Sequence, residues 1–291
     1  MTMPAAGNAR SSGPLAVLAG GGSFPCLVAR AARAAGREVV IAAIRGEADP
    51  AIEAFPHRWV GRGQLGTVLR LFRTAGARDL VIIGGIRERR LPRLSELDLG
   101  AVFVLLRHLR ILRQGDDGLL RKIARIFEAR GLRIVGAGEV APHLLMPAGP
   151  IGELSPDADA QTDITLGIAA AREHGNRDLG QAVIVEDGRV VAREGRAGTD
   201  AMIAAHAAGR AADAPRRGIL VKLPTPSQDL RLDMPAIGPT TVAAIAAAGL
   251  TGVAVEAGRT LVADVGAVAA AADAAELWVF GFDGETGRAD G

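Results

Sequence analysis

"PLAVLAGGGSFPCLVARAARAAGREVVIAAI", residues 14 to 44, decides how the first half of this chain folds. Leu15 to Ala19 is a short apolar run that ends in three glycines. Leu27, Val28, Ala31 and Ala35 then recur at helical spacing, and a second apolar run occupies Val39 to Ile44. The order is strand, glycine turn, helix, strand. "DLVIIGGI" (79–86) adds a strand after a helix of the type "GTVLRLFRTAG", so parallel βαβ order is the economical reading. Two amphipathic helices follow in "VFVLLRHLRILRQ" and "GLLRKIARIFEARG", then a short strand in "RIVGAGEV".

Beyond residue 146 the pattern changes. "MPAGPIGELSPDADA" collects proline, glycine and small polar residues without periodicity, which suits a linker over 147–158. A helix is expected at about 161–174. "GQAVIVEDGRVVARE" holds two alternating apolar segments joined by Asp187-Gly188, a strong hairpin signal. Further strands are expected in "GILVKL", "TGVAVEAG" and "ELWVFGF". The expected class is α/β: an N-terminal α/β domain over 14–146, the linker, and an α+β domain with antiparallel pieces over 159–284, with room for a cleft between them.

The 291 residues are about twice the ~150-residue prior for one domain, so two cores are expected. Hydrophobic residues make up 49% of the chain, but much of this is alanine and no apolar run reaches the ~18 residues of a membrane span. The N-terminal stretch "MTMPAAGNARSSGP" lacks a basic region followed by an apolar one, so the expected address is the cytoplasm. A single cysteine, Cys26, excludes an internal disulfide and a cysteine-based zinc site. The five histidines show no HxxxH or HxH grouping. A net charge of +2 with 3% aromatics and no tyrosine argues against nucleic acid as a partner.

Several stretches carry candidate chemistry. In "AGGGSFP", Gly20, Gly21, Gly22, Ser23 and Phe24 sit where a strand meets a helix, and backbone amides there can receive a phosphate; a tight turn is the plain alternative. The spacing is not GxGxxG, and Arg45-Gly46-Glu47 follows Ile44 where a dinucleotide site carries its acid, which weakens a rival reading as a nicotinamide-dependent oxidoreductase. A non-enzymatic nucleotide-sugar binding protein is the other rival. "WVGRGQLGTV" offers Gln64 after a second glycine turn. "QGDDGLL" sets Asp116 and Asp117 at a helix start, where an N-cap is the plain reading. Thr199 and Asp200 precede an alanine-rich helix, so one of them can cap it and leave the other available. The arginines from Arg107 to Arg125 read as a solvated face or as a patch for anionic lipid.

"VKLPTPSQDLRLDMPAIGPTTV" is the richest stretch. Pro224, Pro226 and Pro235 discourage helix, so Gln228 to Asp233 is expected to be extended, with Asp229, Arg231 and Asp233 on one face and Leu230 and Leu232 on the other. Two carboxylates and a guanidinium suit a magnesium-bound phosphate ester; a local Asp–Arg ion pair is the alternative. At ~3.3 Å per residue Asp229 and Asp233 would stand about 13 Å apart, so at most one ligates an ion directly. The expectation falls on Asp229.

Taken in order, "AGGGSFP", "GRGQLG", "GDDGLLR", "DLGQAVIVEDG", "EGRAGTDAM", "VKLPTPSQDLRLDMPAIGPTTV" and "GVAVEAG" resemble the LpxI-type UDP-2,3-diacylglucosamine pyrophosphatases of Gram-negative lipid A synthesis. The resemblance runs from Leu15 to Phe282, and its most specific part is the succession of the fourth, fifth and sixth stretches. Two positions depart from the family pattern: Ala197 where an acid is expected, and Thr225 where a lysine is. The resemblance implies a Rossmann-like N-terminal domain, a C-terminal domain of its own fold, a homodimer, and hydrolysis of UDP-2,3-diacylglucosamine to UMP and 2,3-diacylglucosamine 1-phosphate with Mg2+ or Mn2+. It also implies transient contact with the inner membrane face. Asp229, Arg231 and Asp233 become the expected catalytic residues, with Asp229 on the metal. Gln181, Lys222 and Gln228 join the glycine-turn residues, Gln64, Asp116, Asp117, Thr199 and Asp200 in substrate binding.

Overall fold

The computed structural model describes residues 13–86, 93–107, 118–211 and 213–284. The chain divides into two units between Val140 and Ala141. The first contains β1 (Leu15–Ala19), α1 (Phe24–Ala34), β2 (Val39–Ile44), β3 (His57–Val60), α2 (Leu65–Thr74), β4 (Asp79–Ile83), α3 (Leu99–Arg107), α4 (Leu119–Glu128), β5 (Arg133–Ile134) and α5 (Ala137–Val140). Its five strands form a parallel sheet in the order β3-β2-β1-β4-β5. Val17 in β1 pairs with Ile41 on one side and Val81 on the other. Strands covered on both faces read as continuous apolar runs, which is why β1, β2 and β4 were visible in the sequence. β3, "HRWV", has only Val60 buried and carries no such signal.

Two features fix this sheet. Asp79 is buried at the start of β4 and accepts hydrogen bonds from Arg37 Nη2 at 2.7 Å and Arg133 Nε at 2.8 Å. A buried carboxylate needs such partners, and these two tie the entries to β2 and β5 to the entry to β4. At the other edge, the glycine turns after β1 and β4 meet face to face. Gly21 donates to the Gly85 carbonyl at 2.7 Å, and Gly85 donates back at 3.1 Å. A β-carbon on Gly20 would stand 2.5 Å from the Gly84 carbonyl oxygen, so the contact requires glycine.

The second unit contains β6 (Gly149–Ile151), α6 (Ala158–Asn176), β7 (Ala182–Glu186), β8 (Arg189–Arg193), α7 (Thr199–Ala208), β9 (Ile219–Lys222), β10 (Ala236–Ile237), α8 (Pro239–Ala247), β11 (Gly252–Glu256), β12 (Leu261–Val262), α9 (Val265–Ala274) and β13 (Trp278–Phe282). Six strands form a sheet in the order β6-β13-β11-β9-β7-β8, and β10 and β12 form a small parallel pair. The sheet is mixed. β9, β11 and β13 are parallel, joined by helices α8 and α9, while β6 and the β7–β8 hairpin run antiparallel at the two sides. The antiparallel pieces expected in the second half are there, at β6 and the β7–β8 hairpin, but its centre is parallel: the short apolar strands gave no sign of direction, and the helical crossovers set it. Residues 149–151, inside the stretch read as a linker, form the edge strand β6 against β13.

The period-two pattern sorts the strands onto two cores. Ala182, Ile184, Leu220 and Val255 pack with Met202, Ile203, Val242 and Val268, whereas Val183, Val185, Val221 and Phe280 pack with Ile164 and Ile168 of α6. The hairpin turns at Asp187 (φ 49°) and Gly188 (φ 72°), both left-handed as the Asp-Gly signal implies. Asp163 of α6 accepts the Gly188 amide at 2.8 Å and fastens the turn to the helix.

Candidate functional site

β9 ends at Lys222, and the residues beside it in the sheet set the site. Lys222 pairs in register with Ala182, and on the other side of Ala182 the Glu194 amide donates to the Ala182 carbonyl at 2.9 Å. Lys222, Ala182 and Glu194 therefore form a row across three segments. Residues in such a row share a face, and alanine in the middle leaves space for the two long side chains above it. The start of α7 covers the same face through Met202 and Ile203, and brings Thr199 and Asp200 to it.

The entry to β7 is tightly built. Gln181 donates its amide to Glu194 Oε2 at 2.9 Å and accepts the Leu223 amide at 3.0 Å. Its Oε1 is buried without a hydrogen-bond partner. Gly180 packs so closely that a β-carbon there would lie 2.7 Å from the Glu194 carbonyl oxygen, whose other neighbour is His174 Nε2 at 2.6 Å. Burial pushes the Lys222 ammonium below the ordinary lysine range, and the charges of Glu194, Asp200 and Asp233 oppose that shift without pairing with it directly. The arrangement is a buried amine among the charges of three carboxylates.

The loop after β9 does not run extended. Leu232 and Asp233 both donate their amides to the Asp229 carbonyl, at 2.9 and 3.0 Å, so residues 229–233 form a turn. The Asp229 side chain drives it by accepting the Arg231 amide at 3.0 Å, the local hydrogen bond for which Asp is favoured in turns. The same carboxylate grips Arg231 Nε at 3.0 Å and Nη2 at 2.7 Å. The alternation expected for a strand gives way to a two-pronged ion pair. Leu232 is buried and anchors the turn. Gln228 closes the preceding corner, its Oε1 accepting the Thr225 amide at 3.1 Å.

The structure thus brings Asp200, Asp233 and Glu194 close enough for their charges to act on Lys222, ties Gln181 to Glu194 and Leu223 through its main chain, sets Thr199 in the first turn of α7, and leaves Asp229, Arg231 and Gln228 in the adjoining loop. Glu194 is the residue missed. It lies in "EGRAGTDAM" directly after β8 and is buried, and no local pattern in the sequence marks it. Also missed is a cavity of about 480 Å3 at the carboxyl ends of β9, β11 and β13, lined by Arg172, Asn176, Pro224, Pro226, Glu256 and Arg259. Crevices at the carboxyl ends of parallel strands are the habitual ligand sites of α/β sheets.

Residues 14–144 match the family model of the LpxI N-terminal domain, and residues 147–280 match that of the LpxI C-terminal domain. The chain belongs to the LpxI family. It is 38% identical over 285 residues to a Caulobacter vibrioides protein named UDP-2,3-diacylglucosamine pyrophosphatase LpxI, covering 92% of this chain and 97% of that one. The likeness to LpxI read from the ordered motifs is borne out.

The LpxI motifs of the first unit have structural work in this geometry. The Gly20 amide donates to Ile83 and the Gly21 amide to Gly85, so neither is available to a phosphate; Gly22, Ser23 and Phe24 remain at the α1 start. Gln64 accepts the Gly61 amide at 2.8 Å and closes its own turn. Gly66 meets Gly100, where a β-carbon would stand 2.4 Å from the Gly100 Cα, and this lets α2 cross α3. The N-cap of α7 is Gly198, with φ 91°, rather than Thr199 or Asp200. Asp116 and Asp117 lie outside the described residues. For a metal ion the fit is poor: no three His, Cys, Asp or Glu side chains among the described residues gather as a ligand set, and both Asp229 oxygens hold Arg231.

Proposed function

We propose that this LpxI family member hydrolyses the pyrophosphate bond of UDP-2,3-diacylglucosamine, releasing UMP and 2,3-diacylglucosamine 1-phosphate in lipid A biosynthesis. The observation that carries this reading is the 38% identity, across nearly the full length of both chains, to a relative bearing that name. The polar row beside Ala182 supports it, since a pyrophosphate ester needs cations at its oxygens and a carboxylate for the attacking water. Lys222 binds phosphoryl oxygen. Arg231, oriented by Asp229, offsets charge on the same group, and Asp233 takes the proton of the water. Gln181 Oε1 accepts a hydrogen bond from a substrate hydroxyl or amide. Gln228 shapes the loop, and Thr199 and Asp200 complete the rim.

The strand order of the first unit supports calling it Rossmann-like. The sealed glycine turns weigh against a nicotinamide cofactor there. A divalent ion, Mg2+ or Mn2+, belongs to the reading as the group that would neutralise pyrophosphate charge. A homodimer, a cytoplasmic location and contact with the inner membrane face complete the proposal; among the described residues no helix is long and apolar enough to cross a membrane. Purified protein is incubated with UDP-2,3-diacylglucosamine with and without EDTA and assayed for UMP. Absence of UMP at every added metal concentration overturns the reading.

A further inference from the structure

α3 is apolar around its whole circumference up to Arg107, yet leaves one face to water. Leu99, Val102, Phe103 and Leu106 recur at i, i+3, i+4 and i+7, the spacing that ordinarily marks the buried stripe of a helix. Here they are 90%, 38%, 60% and 61% exposed, while Ala101 on the opposite side is buried. The placement is held firmly. Asp98 fixes the start of both α2 and α3, accepting the Gly66, Thr67 and Ala101 amides, and the Gly66–Gly100 crossing locks the two helices together. Beside the stripe, Leu99 and Phe103 lead into a cavity of about 740 Å3 whose rim carries Arg70 and Arg73 of α2 and Arg130 after α4. Arg107 stands exposed at the far end of α3.

A contiguous apolar stripe with cations along its border has the composition of an interfacial helix rather than of a protein surface meant for water. Among the residues lining that cavity three arginines face one acid, Asp98, whose carboxylate is turned onto the Gly66, Thr67 and Ala101 amides, so the border is predominantly cationic. We propose that the α2–α3 face is a docking surface for an anionic phospholipid bilayer. The leucine and phenylalanine side chains enter the headgroup boundary and the arginines meet lipid phosphates, each arginine adding to binding by its attraction to the anionic surface. The inference rests on the proposed substrate, whose two acyl chains place it in a membrane. It moves the contact from the arginine-bearing helices near 107–125 to residues 99–106 and their arginine border.

The test uses the full chain with three proteins: wild type, Leu99→Glu/Phe103→Glu, and Arg70→Glu/Arg73→Glu. Each is floated with vesicles of phosphatidylcholine alone or with an equal share of phosphatidylglycerol. Wild type is expected to float only with the anionic vesicles and to release in high salt. Arg70→Glu/Arg73→Glu is expected to lose about thirtyfold or more in partitioning, the loss of two membrane-surface arginines, and Leu99→Glu/Phe103→Glu, which puts carboxylates in the headgroup boundary, at least as much. Circular dichroism and turnover of detergent-dispersed substrate are expected to be unchanged. Wild type that does not float, or variants that float equally, overturns the proposal. Turnover lost in dispersed substrate assigns the face to the substrate's own chains instead, and light scattering that shows the variants as monomers against a wild-type dimer assigns it to a second copy. Failure of turnover in wild type overturns the proposed reaction and leaves the flotation result to stand by itself.

Discussion

Glu194 and Lys222 stand on either side of Ala182, one through the Glu194 amide bonded to the Ala182 carbonyl and the other through strand register. Burial lowers the Lys222 pKa and Glu194 raises it again, so the two residues set together the pH at which the site loses its cation. With Lys222 protonated to hold phosphate, kcat/KM is expected to fall as pH rises through the lysine's lowered pKa. That limb should lie below the ~10.4 of a free lysine. Glu194→Gln removes the opposing charge and should move the alkaline limb to lower pH, with kcat at neutral pH reduced less than in Lys222→Met. An unmoved limb in Glu194→Gln would separate the two residues.

Asp229 and Arg231 form a closed pair, and their effects on turnover should not add. Asp229→Ala is expected to lower kcat by about a hundredfold, Arg231→Ala by a similar factor, and the double variant by little more than either. KM should change less than kcat, because a guanidinium aimed at developing phosphoryl charge contributes most in the transition state. A multiplicative loss in the double variant would show that Asp229 acts on the substrate independently of Arg231.

Because no ligand cluster for a metal gathers among the described residues, a divalent ion would enter with the substrate's pyrophosphate; EDTA should then abolish turnover, and added Mg2+ or Mn2+ should restore it. In heavy-oxygen water the label is expected to enter 2,3-diacylglucosamine 1-phosphate, the outcome of water attacking the sugar-side phosphorus. Mass spectrometry of both products checks this, and label in UMP reverses the direction of attack.

Asp98 serves two helices with one carboxylate. Burial pushes its pKa up, but the hydrogen bonds from the Thr67 hydroxyl and from the Ala101, Thr67 and Gly66 amides outweigh that, and the group titrates below the ordinary aspartate value. A depressed carboxylate stabilises the fold above its unfolded-state pKa, and the stabilisation is lost as pH falls through the folded one. Asp98→Ala should therefore lower stability at pH 7 by about 2 kcal/mol, two caps of ~1 kcal/mol each, and should flatten the acid limb of the melting curve. Thermal melts of both proteins from pH 7 to pH 3 measure it. Equal melting temperatures at pH 7 would show that neither helix needs the cap.

The buried parallel strands were legible because burial on both faces leaves an unbroken apolar run: β1 and β2 stand where Leu15–Ala19 and Val39–Ile44 were read, and β4 fills the first five residues of "DLVIIGGI", whose glycines turn away. The hairpin was legible because Asp187-Gly188 states its own backbone geometry. β3 was not, since "HRWV" is a half-exposed edge with two polar side chains. The turn at 229–233 was hidden for a different reason. Alternation of Leu and charged residues signals a strand only if nothing local competes, and the Asp229 side chain competes by bonding the Arg231 backbone. Glu194 could be singled out only after register placed it across Ala182 from Lys222, a relation between segments 28 positions apart that no local pattern encodes.

The mutual glycine contact at Gly20 and Gly84 bears on what this sheet can be turned into. With Gly21 and Gly85 exchanging amides, the carboxyl edge between β1 and β4 is stitched by main chain alone, and side-chain redesign cannot unpick main-chain bonds. Installing an acid in place of Arg45, the obvious graft for converting the unit to a nicotinamide binder, would leave the cofactor's pyrophosphate without a berth. An engineer would have to lengthen one of the two turns first and let the first and fourth strands part at their tips.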